Sequence, residues 1–450
     1  MHSISELSKL FREKKVSPVE ITQSSLKKIE ELNPKLNAFI TVTAEQALMQ
    51  AAQAGKEIVS GKWKGPLHGV PIALKDLVDT AGIKTTAATG VFQDRIPTED
   101  APLVLQLRKA GAVIVGKTNM HEFAIGATSH ISFYGPVRNP WNPEYVAGGS
   151  SGGSAVAVAS GMCYGAIGSD TGGSNRVPPA CCGVVGLKPT HGLISTVGVV
   201  PMSKSFDHIG PICRTVEDTA IMLNALVDED FAGIATNFKD YTKSFSNKVS
   251  PRVAVLSNTE FSDESNDAFE AVKELFRSWG WQMLEKELPV VPSSGIELRN
   301  AEIRAVHKPL VAKYRELYNP VTLARMENTM NLNTDIDSVS YIHHVDQMNE
   351  DRLKISSQLF DDCDILISPT TSAPVTLEEA KVQGPVAMSL RNTLPFNYYG
   401  LPAISVPCGF TKNGLPLGLQ IVGPRWGEEI VLAFANYYEQ HTKWHLKHPA

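Results

Sequence analysis

Three serines and one lysine carry the chemistry this chain can offer. Ser150 and Ser151 lie inside "GGSSGGSAVAVASG" (148–161), Ser174 inside "GSDTGGSNRVP" (168–178), and Lys75 ends the apolar run "GVPIALKD" (69–76). Serine at its ordinary pKa is a poor nucleophile and needs a base, an oxyanion site and a proton donor for the leaving group. A lysine delivered into a protein interior by an apolar strand can be the base, because desolvation disfavours its ammonium form. Bringing it from about 10.4 to roughly 7 or 8 costs on the order of 4 kcal/mol, within reach of a large core. Strand alternation points Asp76 to the other face, away from Lys75. The glycines of "TGGS" let the N–H groups of Thr171, Gly172, Gly173 and Ser174 turn toward one point, as an oxyanion hole requires. Ser174 at that nest is the candidate nucleophile, and Ser150 or Ser151 could bridge it to Lys75.

Other readings of these glycine-rich runs fail on context. "GAVIVGKT" (111–118) matches the phosphate-loop pattern letter for letter, but its four intervening residues are themselves a strand and cannot present N–H groups to phosphate. Lys117 therefore reads as a strand-end residue. "GGSSG" and "GSSGG" satisfy the GxSxG pattern, yet the loop-like "RNPWNPEYVA" precedes them rather than an apolar strand. Among the 12 histidines none stands in a motif context; His121 reads as a structural hydrogen-bonding residue. Close helix-to-sheet packing explains one glycine turn but not two Gly-Gly-Ser turns with an apolar-flanked lysine upstream.

These residues need elements to hold them. Two N-terminal helices are predicted: Ile4, Leu7 and Phe11 recur at helical spacing, and "SPVE" (17–20) is a capping box with proline at the first helical position. From 66 to 225, short apolar strands alternate with helical segments, which implies a mixed or parallel sheet covered by helices on both faces. Residues 226–250 read as a connecting surface segment and 260–362 as mainly helical. Strands return in "CDILISPTT", "AISVPCGF" and "GLQIVGP", followed by a helix near 427–441. The expectation is one large α/β domain over 1–450: a core at 66–225, a helical variable region at 226–362, and C-terminal strands and a helix at 363–441 that complete the core.

Composition narrows the class. Of 450 residues, 43% are hydrophobic and 20% charged, with a net charge of -5 and scattered basic residues. That is a globular protein with no footprint for nucleic acid or an anionic membrane. No apolar run reaches the roughly 20 residues of a membrane span, and the polar start argues against a signal peptide, so a cytoplasmic location is expected. The six cysteines (Cys163, Cys181, Cys182, Cys213, Cys363, Cys408) form no CxxC pair and read as buried reduced thiols.

In combination, "GVPIALKD", "GGSSGGSAVAVASG", "GSDTGGSNRVP" and "GVVGLKPT" resemble the amidase signature family of serine hydrolases, over about 1–225 and 360–441. The resemblance implies that family's α/β fold and a Ser-cisSer-Lys triad at Ser174, Ser150 and Lys75, with a cis peptide at Gly149-Ser150. It implies an acyl-enzyme on Ser174, an oxyanion hole at Thr171 to Ser174, and no metal or organic cofactor. Ser151 is then expected to hydrogen-bond nearby backbone, and Asp170 and Arg176 to brace the nucleophile loop as a pair. Two positions depart from the family pattern. Asn175 stands where an aliphatic residue is usual, and Pro179 where a small one is, which leaves the loop geometry open.

The resemblance implies hydrolysis of small-molecule amides, possible esters, anilides or carbamates included. The family also contains the catalytic subunit of a glutamine-dependent aminoacyl-tRNA amidotransferase, which is the alternative reading. That subunit's typical middle segment has no counterpart in "IELRNAEIRAVHKPLVAKYRELYNPVTLARM". Pocket walls are expected from the loop after His121 and the segment before "GLPAISVP": Ile125, Phe133, Phe396, Tyr398 and Tyr399, an apolar and aromatic set suited to a hydrophobic acyl group, with Asn175 of the nucleophile loop as a further substrate-binding candidate. Nothing in the sequence fixes an oligomeric state.

Overall fold

The apolar runs become neighbours in one sheet. In the computed structural model, which describes residues 2–227, 240–246, 251–384 and 387–449, eleven strands form: β1 (Phe39–Val42), β2 (Pro71–Lys75), β3 (Val113–Thr118), β4 (Gly165–Asp170), β5 (Val185–Lys188), β6 (His208–Cys213), β7 (Val253–Ser257), β8 (Met283–Glu287), β9 (Ile365–Pro369), β10 (Ala403–Phe410) and β11 (Pro416–Val422). Their order is β1-β3-β2-β4-β6-β5-β10-β11-β9-β7-β8. The sheet is mixed, with β2 parallel to both β3 and β4, and β4 antiparallel to β6. Fourteen α-helices accompany it among the described residues.

Both faces are covered, as the strand alternation requires. Ile72 and Leu74 of β2 belong to one apolar core, while Ala73 between them belongs to another with Ala155, Val156 and Val158. Lys75 shares the parity of Ala73 and so faces the helix Gly152–Ala159. That helix, "GGSAVAVA", is buried along its whole length, and a Cβ on Gly153 would collide with the carbonyls of Asn119 and Ala38. Its small residues let it press onto the sheet directly behind Ser150 and Ser151.

The sequence reading holds for the N-terminal helices: the capping box at Ser17 and Glu20 forms, and Ile4, Leu7 and Phe11 are buried. All six cysteines are free and buried. Lys117 lies within β3, fully buried, so "GAVIVGKT" is a strand. Among the described residues no helix is long and apolar enough to cross a membrane. The region expected to be mainly helical differs in one respect, since it also supplies β8. "MLEKE" carries little apolar signal because β8 is an edge strand paired only with β7. Most of the expected 226–250 connection lies outside the described residues.

Pro179 fits without loss. It occupies the first turn of the helix Val177–Cys182, where no intrahelical N–H partner is needed, and Ala180 N–H already reaches Arg176 O at 3.0 Å. The helix rests on Gly186 of β5, where a Cβ would land on Asn175 O and the Pro179 ring. Gly186→Ala is therefore expected to lower stability by about 1–3 kcal/mol in urea unfolding; an unchanged midpoint would show that the nucleophile loop yields freely.

Candidate active site

β2 delivers Lys75, fully buried, to three hydroxyls. Its Nζ lies 2.7 Å from Ser150 Oγ, 2.9 Å from Ser151 Oγ and 2.8 Å from Ser169 Oγ. Burial lowers its pKa to about 7, against the opposing pull of the Asp170 and Asp207 carboxylates. Asp76 is absent from this set: its carboxylate accepts from Thr86 N–H at 2.9 Å and lies in the field of Lys117. The strand alternation thus separates the two neighbours as expected.

Counting hydrogens separates the two candidate bridges. Ser151 Oγ donates to Ser169 O at 3.1 Å and accepts from Ser169 N–H at 3.3 Å, so its proton is committed to backbone. Ser150 Oγ has Lys75 as its hydrogen-bond partner and its own proton free to point elsewhere. The main chain holds Ser150 through its carbonyl, which accepts from His121 N–H at 3.1 Å and Ser129 Oγ at 3.2 Å. The Gly149-Ser150 peptide is cis. Ser169 is a partner that the sequence reading missed, although it stands in the same "GSDTGGS" run.

Ser174 sits four residues past the end of β4 and is 6% exposed. Its loop is anchored by Asp170 and Arg176, both fully buried. Arg176 donates from Nε and Nη2 to the two Asp170 oxygens at 2.9 Å each, from Nη1 to Thr393 O at 2.9 Å and Gln420 Oε1 at 2.8 Å, and from Nη2 to Asn397 Oδ1 at 2.7 Å. Burial would raise the Asp170 pKa, but the Arg176 guanidinium holds it below the ordinary value.

The expected oxyanion nest needs one correction. Gly173 N–H donates to Asp170 Oδ1 at 2.6 Å, so it is committed to the brace. The amides of Thr171, Gly172 and Ser174 remain for an oxyanion. Gly173 has φ 145°, a conformation that favours glycine. Thr171 Oγ1 donates to Asp207 Oδ1 at 2.5 Å, which ties the nest to the carboxylate that also acts on Lys75.

The expected apolar pocket is also corrected. Ile125 and Phe396 are fully buried in two separate apolar cores. Tyr398 is buried with its hydroxyl on Asp351 Oδ2 at 2.6 Å, and Tyr399 donates to Val290 O at 2.9 Å. Asn175 turns into the sheet, donating from Nδ2 to Leu187 O at 3.3 Å. Phe133 alone of this set is exposed, against Tyr134. A cavity of about 430 Å³ instead opens beside His130, Ile131, Asn319, Val321 and Lys381. None of Lys75, Ser150 and Ser174 lines it; behind its wall Thr128 Oγ1 lies 2.7 Å from His130 Nδ1 and 3.4 Å from His121 Nδ1. Among the described residues no group of three or more His, Cys, Asp or Glu is placed to hold a metal ion.

The sequence model of the Amidase family matches residues 20–432. The chain belongs to the amidase signature family. It is 37% identical, over the full length of both chains, to a glutamyl-tRNA(Gln) amidotransferase subunit of Synechococcus sp. (strain ATCC 27144 / PCC 6301 / SAUG 1402/1). The same subunit of Geotalea daltonii is 36% identical, covering all of this chain and 99% of that one. Among solved structures, a 6-aminohexanoate cyclic dimer hydrolase superposes with TM-score 0.88 at 26% identity, covering 100% of this chain and 98% of that one. The peptide amidase of Stenotrophomonas maltophilia superposes with TM-score 0.81 at 28% identity, covering 98% and 97%. Family membership makes the chain a carbon–nitrogen hydrolase by class and matches the mixed-sheet α/β fold.

Two measurements follow from this geometry. Labelling of Ser174 by a phosphonofluoridate is expected to accelerate with pH, about tenfold per unit below pH 7, and to level off above it as Lys75 becomes neutral; Lys75→Ala should abolish the rise. Arg176→Met strands a buried Asp170 charge, and a stability loss of about 3–5 kcal/mol is expected in chemical denaturation.

Proposed function

We propose that the chain cleaves the carbon–nitrogen bond of a small amide through an acyl-enzyme on Ser174. The observation that carries this reading is a fully buried lysine with three hydroxyl partners and a pKa near 7, one of them Ser150 with an uncommitted proton. Neutral Lys75 accepts the Ser150 proton while Ser150 takes the Ser174 proton, and Ser174 Oγ bonds to the amide carbon. The carbonyl pair moves onto oxygen and is held by the N–H groups of Thr171, Gly172 and Ser174, each donor of this kind being worth about 10²–10³ in rate. Collapse breaks the C–N bond, and Ser150 passes a proton to the departing nitrogen, drawn in turn from Lys75. Water then attacks the acyl carbon with the same groups in reverse.

This chemistry serves two uses. Solved relatives that are hydrolases and a peptide amidase favour free-standing hydrolysis. The names and full-length match of the curated relatives favour the second use, within an amidotransferase, and that support is the stronger of the two. In either use Ser174→Ala should reduce amide turnover on the order of 10⁴–10⁶-fold, and mass spectrometry of a quenched reaction should find the acyl group on Ser174 of the unaltered enzyme. Acylation at another residue would refute the assignment. Ammonia release from glutamine that appears only with added partner subunits would select the second use.

A further inference from the structure

The three amides left for an oxyanion are not held alike. Thr393 Oγ1 donates to Gly172 O at 2.5 Å, and the Asp170 carboxylate accepts from Gly173 N–H at 2.6 Å and Asn175 N–H at 3.0 Å, on either side of Ser174. Thr171, the first residue of the nest, is held by its side chain, whose hydroxyl donates to Asp207 Oδ1 at 2.5 Å. Asp170 and His208 are the last paired residues of β4 and β6. The contact between Thr171 and Asp207 therefore carries that antiparallel ladder one step further, with side chains in place of backbone.

The turn ahead of Asp207 is closed on itself and clamped from outside. Within it, Phe206 N–H and Asp207 N–H both donate to Ser203 O, at 2.9 and 2.8 Å. From the helical region, Glu302 on the helix Ser293–Tyr314 accepts from Ser203 Oγ at 2.6 Å, Ser205 Oγ at 2.6 Å and Ser205 N–H at 3.0 Å. Arg352 on the helix Ser338–Leu359 donates from Nη2 to Ser205 O at 2.7 Å. Asp207 Oδ2 accepts from the amides of Met202 and Ser203 at 2.9 and 3.1 Å, so with Thr171 on Oδ1 the carboxylate meets three donors. The ionised form fits that set. Burial raises its pKa to about 6, the Glu302 carboxylate pushing the same way, so it is charged where Lys75 turns neutral at about 7. A hydrogen bond to a charged acceptor is short and directional, and an oxyanion donor acts only when aimed at the oxygen that forms.

We infer that Asp207 is a positioning residue for the oxyanion hole: through the Thr171 hydroxyl, its carboxylate fixes the direction of the Thr171 N–H toward the developing oxyanion. The helical region then reaches the nest without touching substrate, by way of Glu302, the 203–207 turn and Asp207. This rests on the acyl-enzyme reading at Ser174.

The phosphonofluoridate label tests it, because its phosphoryl oxygen enters the nest as Ser174 attacks. In the full chain, Thr171→Val keeps the amide and removes the hydroxyl, and the labelling rate of Ser174 should fall at least about tenfold. The pH midpoint of that rate should stay near 7, since Lys75 and Ser150 are untouched. Thr171→Ser, which keeps the hydroxyl, should recover most of the lost rate. Asp207→Asn should slow labelling as Thr171→Val does, and the double variant should be no slower than the slower single one, as two changes to one bond require. Rate losses that multiply in the double variant, a Thr171→Val rate equal to that of the unaltered chain, or a Thr171→Ser rate as low as that of Thr171→Val would each overturn the inference and leave the acyl-enzyme reading standing. A loss in Thr171→Val that comes with a displaced midpoint would mark a general loosening of the site and would overturn it too. Label found elsewhere than on Ser174 in the unaltered chain would remove that reading and the inference with it. Should urea unfolding show that Asp207→Asn does not fold, the two Thr171 variants decide alone.

Discussion

A lysine amine held in the dry interior by hydroxyl groups is the constraint on which this structure depends. Lys75 and Lys117 make the point by contrast, since both are fully buried on adjacent strands. Lys117 reaches Val78 O, Thr80 Oγ1 and Thr85 Oγ1, with Asp76 and Asp79 in its field, and its pKa falls only to about 8. The Thr80 and Thr85 hydroxyls give their protons to backbone carbonyls, so all three partners accept, and a neutral Lys117 with two N–H groups would leave one of them without a donor. The partners of Lys75 are all hydroxyls; Ser151 Oγ accepts, its own proton going to Ser169 O, while Ser150 keeps a proton it can give back to a neutral amine. A neutral amine there still fills its hydrogen bonds, which is the condition for a base that must cycle between two states without disturbing its surroundings.

Such a base is useful only if the nucleophile is fixed against it, and that demand reaches across the chain. The Ser174 loop is tied to its own strand by Asp170, and Arg176 carries the tie to Thr393, Asn397 and Gln420 in the C-terminal part. A buried ion pair is an expensive way to gain stability. Its value here is geometric, because all five Arg176 donors have acceptors and both Asp170 oxygens are shared with loop amides. The return of strands β9 to β11 to the sheet is thus part of building the site as well as closing the domain.

The groups proposed for catalysis were legible in the sequence because each stands where an element ends and a glycine run begins: Lys75 at the close of an apolar strand, Ser150 before a small-residue helix, Ser174 past β4. The strands that escaped notice are the ones with weak patterns. β1 has four residues, and β8 is a polar edge. Ser169 was hidden by its neighbours, since a third serine in a run of candidates has no distinguishing spacing. The supposed pocket wall failed for a different reason. Phe396 and Tyr398 precede the "GLP" run, but they lie on the short helix Pro395–Tyr398, which packs them into the interior, a tertiary outcome that residue type does not encode.

The packing of the helical region was illegible for the complementary reason. Arg299 and Arg325 stand on helices whose sequences alternate charge and small apolar residues, as any solvent-facing helix does. The helix Pro320–Asn328 is anchored at its start by the Glu122 carboxylate, which accepts from Asn319 N–H. His121 itself is ordinary until Ser129 N–H fixes its tautomer and aims its proton inward. The groups proposed for catalysis are therefore written locally, in strand ends and glycine turns, whereas the docking of the helical region joins segments nearly 200 residues apart along the chain.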